Sequence, residues 1–145
     1  MDVRLHYKGG AKGHIWASQV AVGHDTGLKL RVYGTKGALE WTQADPNYLW
    51  FTPLRGEKRL ISRGGAGANA AAARVTRIPG GHPEGYLEGF ANIYTEFARA
   101  IEAKRLGKKL DNDVQFPGIA DGVQGMAFIE ACVKSSSKNG KWVRV

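Results

Sequence analysis

The sequence predicts an α+β fold: one open, mainly antiparallel sheet of about six or seven strands, with two main helices packed on one face. Three observations carry that expectation. Apolar and polar residues alternate with a period of two from Val3 as far as the KRLIS stretch. The connections between these segments are too short for parallel crossovers. Beyond a glycine- and alanine-rich passage, the apolar period lengthens to three and four residues.

In the first strand Val3, Leu5 and Tyr7 share one face and Arg4 and His6 the other. The GGAKG turn (Gly9 to Gly13) leads to a second strand expected from about His14 to Val22. GHDTG (Gly23 to Gly27) then reads as a hairpin turn into a third, where Leu28, Leu30 and Val32 alternate with Lys29, Arg31 and Tyr33. GTKG (Gly34 to Gly37) sets off ALEW, and YLWFT and KRLIS complete the meander. GGAGANAAAARV (Gly64 to Val75) reads as a flexible low-complexity loop. Tyr86, Phe90, Ile93, Phe97 and Ile101, joined by Leu87 and Tyr94, then predict an amphipathic helix of about five turns ending near Gly107. A polar loop, Lys108 to Pro117, precedes a second helix with Ile119, Val123, Met126, Ile129 and Val133 on one stripe, stopped by Asn139 and Gly140. The WVRV tail alternates again and is expected to return to the sheet as a last strand.

Trp50 and Phe51 are strand neighbours and must face opposite ways. With Trp16, Trp41 and Tyr48 on other strand-like stretches, the face away from the helices carries large side chains. A second copy of the chain, as a homo-oligomer (dimer or tetramer), or a further domain is expected to cover it.

Composition narrows the class. The 145 residues, 43% of them hydrophobic, suffice for a single domain spanning 1–145. No apolar run reaches the ~18 residues of a membrane helix, so neither a signal peptide nor a span is expected. The single cysteine, Cys132, falls in an apolar helical pattern and is expected to be a buried, inert thiol, which fits a cytoplasmic location. The net charge of +8 raises nucleic-acid binding. The Lys and Arg residues are spread along the whole chain, which favours a solvated surface. A stand-alone basic α+β module binding nucleic acid or another polyanion, and a purely structural dimerisation domain, are the rival readings.

Gly65, Gly67 and Ala70 spell G-x-G-x-x-A, and Glu84 lies downstream, but the helix and second parallel strand of a dinucleotide-binding unit do not follow. Among His6, His14, His24 and His82 no pair shows a metal-ligand spacing, so no metal site is assigned. No Ser/His/Asp or Cys/His set, Walker loop or spaced carboxylate pair is present, and no catalytic residue is assigned. Two positions stand out. His24 and Asp25 share a turn that could orient a polar ligand, although turn chemistry alone accounts for them. In PGGHPEGYLEGF, Pro83 is expected to open the helix and hold His82 extended at its mouth, with Glu84 complementing the helix dipole. An imidazole held there could hydrogen-bond a hydroxyl of a ligand.

Three stretches, SQVAVGHDTGLKLRVYGTKGALEW (Ser18 to Trp41), GGHPEGYLEGFANIYTEFARAI (Gly80 to Ile101) and Asp111 to Val145, resemble the C-terminal domain of the Gfo/Idh/MocA family of NAD(P)-dependent oxidoreductases. Members of that family act mostly on sugars and cyclitols. The resemblance covers nearly the whole chain in the family's order. It implies a large open sheet with helices on one face and oligomerisation through the other. It also implies an N-terminal Rossmann domain with Glu-Lys-Pro and Asp-x-x-x-His motifs; no Glu-Lys-Pro occurs here, and the one Asp-x-x-x-His spacing, Asp2 to His6, lies on the first predicted strand. The chain therefore reads as a severed C-terminal domain, not catalytic alone and binding no cofactor by itself, with NAD or NADP expected in the full-length protein. By the same resemblance His24, Asp25, His82 and Tyr86 are the candidate contacts to a sugar-like substrate.

Overall fold

Short turns built on glycine decide the pairing of the strands. The computed structural model describes residues 1–145 as six strands and three helices. The strands are β1 (Asp2–His6), β2 (Lys12–Trp16), β3 (Lys29–Gly34), β4 (Gly37–Thr42), β5 (Tyr48–Pro53) and β6 (Arg59–Ser62). The helices are α1 (Ala70–Val75), α2 (Tyr86–Arg105) and α3 (Ile119–Ser136). The fold is α+β, and every strand pair is antiparallel. The strands form two sheets, β1-β2 and β3-β4-β5-β6, and the chain divides into two units.

One unit comprises Met1–Gly23 and Pro117–Val145. Its β1–β2 hairpin closes through the Tyr7 N–H bonded to the Ala11 carbonyl at 2.9 Å, with Gly10 at φ 87° in the turn. Here β2 stops at Trp16, which pairs with Asp2, well short of Val22; beyond it only Ala17 and Met1 still exchange hydrogen bonds (3.0 and 2.7 Å). Val20 and Val22 follow as exposed, unpaired chain. At the start of α3 the Asp121 carboxylate accepts the Gly118 N–H at 2.7 Å. At its other end Asn139 and Gly140 adopt φ 55° and 77°, and the Gly140 N–H reaches the Ser135 carbonyl at 2.9 Å. The expected final strand does not form. Residues 141–145 lie outside any ladder, held instead by the Ser135 hydroxyl donating to the Lys141 carbonyl (2.8 Å) and by Trp142, whose ring centroid is 4.3 Å from that of His6. Cys132 is half-buried rather than buried, since it forms part of the wall of a cleft of about 830 Å³ with Phe128, Trp142 and β1.

The other unit spans His24–Phe116. The β3–β4 hairpin uses a two-residue turn, Thr35 and Lys36, between paired Gly34 and Gly37. The register sorts the four strands into two unlike faces. Leu30, Val32, Leu39, Trp41, Leu49, Phe51 and Ile61 line one, and Lys29, Arg31, Glu40, Tyr48, Trp50 and Leu60 the other. Trp50 and Phe51 do face opposite ways. The second face is mixed rather than water-averse: Lys58 lies 4.8 Å over the Trp50 ring while its ammonium meets Glu40 at 3.1 Å. Over the apolar face runs the Gly64–Asn69 loop, with Gly67 so close to Ile61 that an added Cβ would sit 3.2 Å from the Ile61 side chain.

The passage expected to be a flexible loop contains α1. Its alanines have the highest helix propensity of any residue, and Asn69 caps the first turn by accepting the Ala72 N–H at 2.9 Å. The start of α2 also differs from the expectation. It opens at Tyr86 behind Gly85, not at Pro83, because Glu88 rather than Glu84 reaches back to accept the Gly85 N–H at 2.8 Å. Gly107, at φ 63°, closes the helix. Its apolar stripe is largely exposed, from 44% at Phe90 to 76% at Leu87, whereas its polar side shelters Glu96 at 6% exposure. No hydrophobic side chain in the chain is fully buried. No helix is long and apolar enough to cross a membrane.

Candidate functional site

All four candidate contacts belong to the His24–Phe116 unit, and sheet topology brings them to one of its ends. At that end Leu28 precedes β3, Gln43 follows β4, Asn47 precedes β5 and Arg63 follows β6. The Gln43 N–H bonds the Leu28 carbonyl (2.9 Å), and the Arg63 N–H bonds the Asn47 carbonyl (2.8 Å), so the strand ends are joined in two pairs, β3 with β4 and β5 with β6. His24 and Asp25 lie in the exposed turn leading to Leu28, beside one edge of the sheet. His82 and Tyr86 lie in the loop anchored on Arg63, beside the other. Three strand spacings separate the two edges, about 14 Å.

GHDTG is not the hairpin turn expected of it, because β2 and β3 belong to different sheets. Gly23, at φ 81°, still turns the chain there.

The loop before α2 is built by three residues. Asn47 is its first clamp: its amide accepts the Glu84 N–H and donates to the Glu84 carbonyl, both at 2.9 Å. Arg63 is the second. Its Nε donates to Asn47 Oδ1 (2.9 Å), its Nη1 to the Ile78 carbonyl (2.9 Å), and its Nη2 to the carbonyls of Pro79 (3.3 Å) and His82. Glu84 is the third. Its carboxylate accepts the backbone N–H groups of Arg77 and Ile78 and pairs with Arg63 Nη1 at 3.4 Å. Glu84 therefore locks the loop and does not serve the helix dipole, as the sequence had suggested. His82 sits three residues before the cap, outside the first turn where the helix dipole acts. It gives the loop only its backbone, an N–H to Pro79 and a carbonyl to Arg63, and its imidazole faces solvent. Tyr86 begins α2, 71% exposed, its ring 4.7 Å from Phe90.

Sequence reasoning missed Asn47 and Arg63. Both follow or precede a strand without belonging to any motif, and only the ladder register shows that they meet. His6 and His14, the other two histidines, are taken up by Trp142 and by Asp2 (3.1 Å) in the other unit. A shallow hollow of about 390 Å³ on the mixed sheet face, lined by Lys29, Arg31, Glu40 and Trp50, includes none of the four candidates.

The G-x-G-x-x-A stretch does not form a dinucleotide cradle. Gly65 and Gly67 lie in turns, α1 has six residues, and the chain after it enters no parallel strand. A glycine there serves close packing instead: a Cβ on Gly65 would lie 2.5 Å from the Ser62 hydroxyl.

An antiparallel α+β domain with its polar loops gathered at one end of the larger sheet fits a known class. Over residues 2–145 the chain matches the C-terminal alpha/beta domain of the oxidoreductase family, the Gfo/Idh/MocA C-terminal domain, and it belongs to that family. It is 34% identical over 142 residues to the uncharacterized oxidoreductase YfiI of Bacillus subtilis (strain 168), covering 97% of this chain and 36% of that protein. Among solved structures, an oxidoreductase from Sinorhizobium meliloti matches with a TM-score of 0.90 at 63% identity, over 97% of this chain and 39% of that one. An inositol dehydrogenase homolog from Azotobacter vinelandii, complexed with NADH and myo-inositol, matches with a TM-score of 0.92 at 36% identity, over 99% of this chain and 38% of that one. The chain thus spans little more than a third of the length of these relatives.

Proposed function

We propose that this chain is the substrate-binding and oligomerisation domain of an NAD(P)-dependent oxidoreductase acting on sugars or cyclitols. In this reading His24, Asp25, His82 and Tyr86 form the walls of the polyol pocket, and the nicotinamide and the proton-transferring groups come from another part of the protein. The observation that carries the reading is the Pro79–Tyr86 loop, whose backbone is held rigidly while its imidazole and phenol point to solvent. Rigid support for free polar side chains is what recognition of a hydroxylated ligand requires. The myo-inositol held by the Azotobacter vinelandii relative supports a cyclitol among the substrates.

Each residue has a definite part. The His82 imidazole accepts from or donates to a ring hydroxyl, Tyr86 offers a phenol and an apolar ring edge, and the Asp25 carboxylate orients hydroxyl donors. None of them is asked to supply the hydride or its acceptor. NAD or NADP, when bound, supplies the hydride chemistry.

In the intact oxidoreductase, His82→Ala is expected to raise the KM for myo-inositol about tenfold or more, with a smaller change in kcat, because a hydrogen bond made in ground and transition state alike is lost. An unchanged KM for every polyol tested overturns the assignment. The 145 residues alone are expected to show no NAD-dependent oxidation of the same panel, and turnover by them would refute the division of labour.

A further inference from the structure

We propose that Arg63 is a positioning residue for the polyol site, setting where His82 stands without touching the ligand. The proposal rests on the reading of His82 as a substrate contact. The guanidinium lies at the end of β6, and its side chain is only 15% exposed. It converts one strand end into a template for a loop that begins fifteen residues later, at Ile78.

The geometry explains why arginine is needed. Ile78, Pro79 and His82 present three carbonyls to the two terminal nitrogens, while Nε is committed to Asn47 Oδ1. Only a planar fork with donors in fixed directions spans all four acceptors, and a lysine offers one point charge on a flexible stem. Glu84, 9% exposed at its side chain, balances the charge at 3.4 Å, so the guanidinium is neither unpaired nor free to swing out. Between the Pro79 and His82 carbonyls lie Gly80 and Gly81, the latter at φ 84°. Without an outside template, such a pair samples many conformations. Arg63 removes that freedom from the two residues that precede the imidazole.

A residue that acts in this way has a signature separate from stability. Arg63→Lys and Arg63→Met are expected to speed amide hydrogen exchange of residues 80–85 by about tenfold or more, while exchange in α3 and in β4–β5 stays near that of the unaltered protein. In the intact oxidoreductase both variants raise the KM for myo-inositol, and in a His82→Ala background they raise it no further, because the group they position is gone. The proposal is overturned if loop exchange is unchanged in both variants, or if the effects of Arg63→Lys and His82→Ala on KM simply multiply. If His82→Ala leaves every polyol KM unchanged, the polyol assignment falls, and the exchange data alone then decide whether Arg63 templates the loop.

Discussion

Gly37 shows how much can rest on a missing side chain. A Cβ there would lie 2.5 Å from the Thr52 carbonyl oxygen and 3.1 Å from Pro53 Cα, both backbone atoms in the middle of a sheet. Neither neighbour can yield without breaking the β4–β5 ladder. Gly37→Ala is therefore expected to destabilise the His24–Phe116 unit by about 2 kcal/mol, read from the urea midpoint. Gly81→Ala meets no atom within 4 Å but has an unfavourable φ, and should cost less, about 1 kcal/mol. At this scale the sequence was partly legible. GTKG announced a tight turn, and GGHPEGY announced an unusual helix approach. Asn47, Arg63 and the true partner of Glu84 were hidden, because their contacts depend on which strand ends lie side by side, and residue spacing says nothing about that.

Among the elements, the decisive clamp is Glu96. Its carboxylate accepts from Arg74 of α1 (2.8 and 3.1 Å), from the Gln115 N–H (2.9 Å) and from Arg99 (3.4 Å), so one side chain of α2 gathers α1 and the segment before Phe116. The bidentate Arg74 bond, helped by the Gln115 N–H, holds the Glu96 carboxyl well below its ordinary 4.5, at about 2. Because the folded value is the lower one, this stabilisation is fully present above about 4.5. It is lost as pH falls from there through about 2. Urea midpoints measured at pH 7 and pH 3 should differ more in the unaltered protein than in Glu96→Gln, and equal differences would dismiss the clamp. The elements themselves were readable where period and turn agreed, as in β3–β4 and α2. They were misread where a partner was needed to decide. The stretch after Trp16 and the WVRV tail alternate like strands but find no ladder, and the alanine run, low in complexity like a loop, forms a helix because Asn69 and four alanines favour a helix start.

The whole chain leaves its apolar residues unusually wet. Phe90, Ile93, Phe97 and Ile101 on α2 are 44–53% exposed, and Val123, Met126, Ile129 and Val133 on α3 are 53–65% exposed. Two such stripes exceed what isolated soluble proteins leave to water and call for a covering surface. Self-association of the chain is expected, visible as a concentration-dependent sedimentation coefficient, and Phe90→Lys or Ile129→Lys should weaken it. A strictly monomeric chain at high concentration would contradict this and the oligomerisation role with it. The family match over residues 2–145 fits a domain accustomed to neighbours. The distribution of indoles has a spectroscopic consequence. Trp16 and Trp142 are 61% and 64% exposed, Trp50 is 41% exposed, and only Trp41 has its ring N–H hydrogen-bonded, to the Pro46 carbonyl. Emission from this chain should be red and readily quenched by iodide, and any partner that settles over those rings will announce itself by a shift to the blue.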